Sequence, residues 1–139
     1  MIFLGSVYSV NAKEFDEVWA IVRSPGDRIK NFKWVPELSP SSNLFDKFNE
    51  LKNKHEWNRN SFDNIYVPQF LNEMKDMSAR AKLNELYVKS KAGKKICLVC
   101  FCYNEYMCHR SIVAGLLQGV GCDVKVNNDY SKYYDMYVK

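Results

Sequence analysis

Long apolar runs are missing from this sequence of 139 residues. None approaches the ~18 residues that suggest a membrane-spanning helix, so no membrane partner is expected. The opening Met1-Ile2-Phe3-Leu4-Gly5-Ser6-Val7 lacks the basic flank and the length of a secretory leader, and reads as a strand. Dense Lys/Arg runs are missing as well. The net charge is only +4 and is scattered along the chain. That permits an anionic ligand but leaves no electrostatic footprint for nucleic acid. An even, spread-out set of cysteines is also absent. There are five, four of them between 97 and 108, which argues against a secreted disulfide scaffold and for reduced thiols in the cytoplasm. No repeat, low-complexity tract or linker divides the chain, so residues 1–139 are expected to form a single α/β domain.

What is present is a globular composition, 47% apolar and 26% charged, enough to close one core at this length. Residues 1–10 are apolar and β-branched and predict a first strand. Residues 12–17 are polar, with room for one helical turn. Val18-Trp19-Ala20-Ile21-Val22 is a continuous apolar run within 16–23, as in a strand buried on both faces. Ser24-Pro25-Gly26-Asp27 stops it. Residues 24–42, with Pro25, Pro36 and Pro40, are the longest irregular segment. Ser41 or Ser42 caps a helix whose Leu44, Phe45, Phe48 and Leu51 share a face. That helix ends and turns over 52–60. A helical segment over 64–77 has Pro68 where a helix can begin, and another over 79–92 stops at Gly93.

Residues 96–102, Ile-Cys-Leu-Val-Cys-Phe-Cys, are a second doubly buried strand, followed by a loop over 103–107. From Cys108 the apolar positions Ile112, Val113, Leu116, Leu117 and Val120 recur at helical spacing, and Gly119 and Gly121 end the pattern. Residues 122–126 alternate as a more exposed strand does. The Tyr-rich tail, with Tyr130, Tyr133, Tyr134 and Tyr137, reads as a docked segment over apolar surface. Strands alternating with helices predict three layers, a mostly parallel sheet with helices on both faces.

The turn from Cys100 to Ser111 joins a buried strand to a helix, and in open α/β sheets ligands bind at the carboxyl ends of strands. The helix start offers free N–H groups and partial positive charge. Arg110 and His109 in its first turn oppose that dipole, at a cost of roughly 0.3–1 kcal/mol unless an anionic partner intervenes. This local conflict marks the turn as a candidate site. Three chemistries compete. Arg110 and the helix amides suit a phosphate or carboxylate. Cys108, beside His109 and Arg110, is placed where a thiol becomes a reactive thiolate. Cys100, Cys102, Cys108 and His109 number four zinc ligands, but Cys-x-Cys followed by adjacent Cys-His is poor zinc spacing, and no metal is assigned. Against all three stands plain packing, since free cysteine behaves as a small buried hydrophobe. Cys97 and Cys122 are expected to do only that.

Cys100, and Cys108-His109-Arg110 after seven intervening residues, resemble the C-terminal signature of the domain of unknown function 488 family. Arg23 with Ser24-Pro25, the stretch 33–41 and Tyr66-Val67-Pro68-Gln69-Phe70 are similar to its earlier segments, so the resemblance runs over roughly residues 1 to 127. It implies a three-layer α/β fold and a pocket shared by Arg23, Cys100, Cys108, His109 and Arg110, but supplies no reaction. Ile21 stands where an acidic residue is expected in many relatives, which weakens acid–base catalysis and leaves a more cationic pocket.

A second arginine, Arg23, would complete a bidentate clamp. Trp34, Tyr66 and Tyr103 are candidates to stack on a ring, although aromatics are more often core. Glu37 and Glu105 are candidate acids or bases, more simply read as solvated carboxylates, and His55 is expected to be exposed. The residues then lead to two expectations. In the first, Arg23, Trp34, Cys100, Cys102, Tyr103, Arg110 and Ser111 bind a small anionic, nucleotide-derived ligand with no cofactor. The abundance of Asn, Lys and Tyr suits an AT-rich bacterial or phage genome, and in a phage such a pocket would sequester a signal nucleotide in the host cytoplasm. The alternative is a cysteine-dependent hydrolase or transferase of a nucleoside or phosphorylated substrate, with Cys108 as nucleophile and His109 as base. A protein-interaction module using the 24–42 loop is a third reading.

Overall fold

The computed structural model describes residues 1–102 and 104–139. Among them five parallel strands form one sheet: β1 (Ile2–Ser6), β2 (Glu17–Ala20), β3 (Lys33–Trp34), β4 (Ile96–Cys100) and β5 (Val124–Lys125). Their order is β3-β2-β4-β1-β5. β4 is buried along its whole length, as its unbroken apolar run requires. It pairs with β1 from Ile2↔Ile96 to Ser6↔Cys100, and with β2 from Glu17↔Ile96 to Ala20↔Val99.

Strand alternation divides the core in two. Ile2, Trp19, Ile21, Ile96 and Leu98 face the helices, where they meet Leu44 of α1 (Ser42–Asn53), Phe70 of α3 (Val67–Glu73), Leu86 of α4 (Met77–Lys91), Ile112 of α5 (His109–Gly119) and Tyr133 of α6 (Lys132–Tyr137). A short α2 (Arg59–Ser61) precedes α3. The opposite face, with Val18, Ala20, Cys97 and Val99, is covered by Val7, Val10, Phe15, Ile29 and Phe32. These come from the chain around two 3-10 turns, Ala12–Glu14 and Asp27–Ile29. The fold is α/β with a parallel sheet, as the sequence predicts. Its second covering layer is built from 3-10 turns and loops, because the segments there are too short for an α-helix.

The other departures from the sequence reading are local. β2 stops at Ala20, although the Ile21 N–H still bonds Val99 O at 3.0 Å. The segment over 24–42 contains β3, which pairs Trp19↔Lys33 and Ala20↔Trp34. The helical run near Pro68 starts earlier, at Arg59, and passes through a π turn at Phe62–Tyr66. Proline explains the turn. An α-helix would need the residue 68 N–H for the Asn64 carbonyl, and Pro has none; the chain widens, and the Val67 N–H bonds Phe62 O instead. Ser41 caps α1 by accepting from Leu44 N at 3.1 Å, and Glu73 fixes that cap by accepting from Ser41 N at 2.8 Å and Ser41 Oγ at 2.6 Å.

Gly115 and Gly119 do more than end a helix. A Cβ on Gly115 would stand 2.1 Å from Tyr130 O, and one on Gly119 would stand 2.1 Å from the Tyr134 side chain. The tyrosine tail docks on this bare stripe of α5, as the sequence suggests.

Candidate functional site

β2 and β4 are neighbours whose following connections leave to opposite sides of the sheet. After β2 the chain enters the loop layer; after β4 it enters α5. That divergence opens a crevice at the strands' carboxyl ends. A cavity of about 200 Å³ lies there. Val22, Arg23 and Ser24 line it from the segment just after β2, and Cys100, Phe101 and Cys102 from the end of β4 and the residues after it. Met107, Cys108 and His109 come from the start of α5. Phe45, Phe48, Trp57 and Tyr66 complete a largely aromatic wall. The π turn sets Tyr66 in that wall, its ring stacked between Phe62 (5.5 Å between centroids) and Phe70 (6.1 Å).

At the cavity floor Cys108 is the N-cap residue of α5 and is 3% exposed. Its Sγ lies 3.3 Å from Cys100 Sγ, 3.5 Å from His109 Nδ1 and 3.4 Å from Arg110 Nε, which donates to it. His109 Nε2 donates to Ile21 O at 2.7 Å. This assigns the Nε2 proton and turns Nδ1 toward the sulfur. The ring also packs against Phe70, 5.7 Å between centroids. A backbone carbonyl thus orients this histidine, so the side chain at 21 has no need to be acidic.

Arg110 is 2% exposed and turns away from the cavity. Its NH1 donates to Gly5 O and its NH2 to Cys102 O at 2.7 Å. One guanidinium thereby ties the ends of β1 and β4 to the Cys108 sulfur. Among the described residues every buried side-chain nitrogen and oxygen has a partner.

The three sulfurs differ sharply in acidity. Burial alone pushes the Cys108 thiol up, but hydrogen bonds from Cys100 and Cys102, with the charge and hydrogen bond of His109, outweigh it and hold Cys108 well below the ordinary range. Cys100 is driven far up by its hydrogen bonds to Cys102 and Cys108 and by burial. Cys102 settles at about 11: its bond to Cys100 favours the thiolate, but its bond to Cys108 and burial win. Cys108 is therefore the most acidic of three sulfurs that all lie within 4.8 Å of one another. That spacing would also let a soft cation bridge them, although the sequence spacing argued against such a group. Cys97 and Cys122 are buried away from it in the two cores.

The other candidates separate. Arg23 is half-buried beside the cavity, donating to Pro40 O at 3.1 Å and Ser42 Oγ at 2.5 Å. Trp34 is 45% exposed outside the cavity lining, its indole bonded to Val22 O at 2.9 Å. Ser111 is buried and donates to Cys108 O at 2.8 Å, so it braces the helix start. Glu105 accepts from Tyr130 OH at 3.0 Å. Glu37 lies outside the lining and His55 is exposed. Tyr103 lies outside the described residues. Sequence reasoning named Tyr66 as a stacking candidate but missed the rest of the aromatic wall. Phe45 and Phe48 read simply as a helix face, and Trp57, alone in the polar stretch 52–60, was the available signal.

The model of the active DUF488-N3 subclade, DUF488-N3a, matches residues 2–121. The chain belongs to this DUF488-N3 family. The matched span includes every residue lining this cavity and ends before α6. No curated protein and no solved structure matches the chain. No helix among the described residues is long and apolar enough to cross a membrane.

Proposed function

We propose that this chain is a cysteine-dependent transferase or hydrolase in which Cys108 is the nucleophile. The observation that carries the reading is the placement of Cys108 Sγ on the floor of an aromatic cavity, between His109 Nδ1 and Arg110 Nε. The subclade's description as active supports catalysis over binding alone.

In this reading the Cys108 thiolate attacks an electrophilic carbon or phosphorus of the substrate. A bond to sulfur forms and the bond to the leaving group breaks. His109, holding the proton at Nδ1, passes it to the leaving group, while Nε2–H stays anchored on Ile21 O. Water or an acceptor then displaces Cys108. Arg110 acts as a positioning residue, stabilising the thiolate and locking the turn. Phe45, Phe48, Trp57 and Tyr66 take a flat apolar group such as a nucleobase. Arg23 meets a phosphate or carboxylate with the donors that Pro40 and Ser42 leave over, since a guanidinium has five N–H groups.

The test uses p-nitrophenyl acetate and iodoacetamide as probes. A burst of nitrophenolate is expected, with the acetyl group and the alkyl group both mapping to Cys108 at neutral pH, and Cys108→Ser should lose both. Labelling spread evenly over the five cysteines sinks the reading. Arg23 also favours a second one, a binding protein that sequesters a signal nucleotide. Native mass spectrometry showing an organic anion retained unchanged, and lost with Arg23→Ala, would replace catalysis by it.

A further inference from the structure

The proposed nucleophile has a second thiol in contact with it, which the reaction above does not use. Cys100 sits at the end of the central strand and Cys108 at the N-cap of the next helix, eight residues on. Their sulfurs are 3.3 Å apart and both line the same cavity. A disulfide needs about 2.05 Å, so the gap must close by about 1.25 Å. The Cys102 backbone N–H donates to Cys100 Sγ at 3.3 Å and fixes that sulfur toward Cys108. The two thiols are also unlike. The neighbours of Cys108 hold it toward the thiolate, and those of Cys100 hold it toward the thiol.

Building on the nucleophile reading, we propose that Cys100 and Cys108 form a reversible disulfide that shuts the site when a small hydroperoxide enters the cavity. The Cys108 thiolate attacks the outer peroxide oxygen; an S–O bond forms, the O–O bond breaks, and the alkoxide or hydroxide leaves with a proton. Cys108 is then a sulfenic acid. Cys100 sulfur attacks Cys108 sulfur, the S–O bond breaks, and the hydroxide departs as water with the Cys100 proton. Two thiols have lost two electrons and the peroxide has gained them. Low-molecular-weight thiol restores the site in two exchanges, first through a mixed disulfide and then by release of the protein thiolate as the small disulfide forms. Cys100 thereby protects the nucleophile, since a sulfenic acid without a neighbouring thiol proceeds to irreversible sulfinic acid.

The experiment treats the full chain with hydrogen peroxide, blocks remaining thiols with iodoacetamide and digests with chymotrypsin. Cleavage after Phe101, Tyr103 and Tyr106 separates Cys100, Cys102 and Cys108. A peptide joining Cys100 to Cys108 is expected, with the mass of two hydrogens lost and full reversal by dithiothreitol. Cys102→Ser should keep the link. Cys100→Ser should lose it and accumulate sulfinic acid on Cys108. A link through Cys102, or sulfinic acid on Cys108 in the wild-type chain with no link, overturns the proposal. The link is read by mass and the nucleophile by probe acetylation. An absent link therefore leaves the nucleophile standing, and a present link without acetylation removes only the nucleophile.

Discussion

Helix α5 is held by different physics at its two ends. At its N-terminus, His109, Arg110 and Ser111 are all buried, and what fixes them is directed bonding to carbonyls of residues 5, 21, 102 and 108 and to one sulfur. At its C-terminal half, Gly115 and Gly119 contribute no side chain, and α6 packs directly onto them, helped by a hydrogen bond from Tyr130 N to Gln118 Oε1 at 2.8 Å. The polar end tolerates no unmade bond, because a buried donor or acceptor without a partner loses its full solvation. The bare end tolerates no added atom, because packed interiors have no slack. One end fixes the Cys108 cluster by directed bonds, and the other seats α6 by close packing.

Four measurements break or sharpen the contrast. The largest effect is expected from Arg110→Ala, which strips Gly5 O, Cys102 O and the Cys108 sulfur of one shared donor. Removing one side of a buried charged pair costs about 3–5 kcal/mol, read as a lower urea midpoint. Arg110→Lys should recover only part of it, because an ammonium cannot reproduce the planar fork. Gly119→Ala comes next, at about 1–3 kcal/mol from overpacking against Tyr134. Iodoacetamide reactivity of Cys108 should survive this change in whatever fraction stays folded. If it falls in the folded protein, the two ends are coupled and the contrast fails.

Tyr130→Phe removes the hydroxyl that donates to Glu105 across the back of the turn. It should cost about 0.5–1.5 kcal/mol and leave Gly115 packing intact. The smallest effect is a control remote from α5. Glu85 is pulled down to about 2, first by its hydrogen bond from Lys33 and then by that from Lys89. Its folded value lies below its unfolded one, so its stabilisation is complete above about pH 4.5 and fades as pH falls toward 2. Such partly exposed pairs near the surface contribute about 0.2–1 kcal/mol, so Glu85→Gln should flatten that acid limb slightly. A larger change would mean that this lysine–glutamate cluster carries more of the fold than either end of α5.

The same contrast explains what the sequence made legible. The polar end announced itself, because cationic residues at a helix start and a cysteine cap are local oddities. Even so, sequence could not orient Arg110. It read as an anion donor, yet its guanidinium is consumed by carbonyls from two strands, a long-range fact with no local trace. His109 presents the same difficulty, since its orienting partner is a backbone atom at Ile21. At the other end Gly119 read as a stop signal, because a glycine chosen for close approach looks in sequence like one chosen for a turn. β3 was hidden because two residues are too few to show a period. The π turn was hidden because proline near a helix start and proline within a widened turn share one signature.

The strand order has a consequence in time. β1 and β2 leave the ribosome well before β4, and neither lies beside the other; both must wait for residues 96–100 to come between them. A nascent chain that has not yet reached residue 96 thus holds β1, β2 and β3 without the strand between β1 and β2, and gains that central strand only on synthesis of the segment that carries Cys100. Such non-local pairing is slow to form. The sulfur cluster and the sheet are consequently born together, and a chain released before residue 96 has neither.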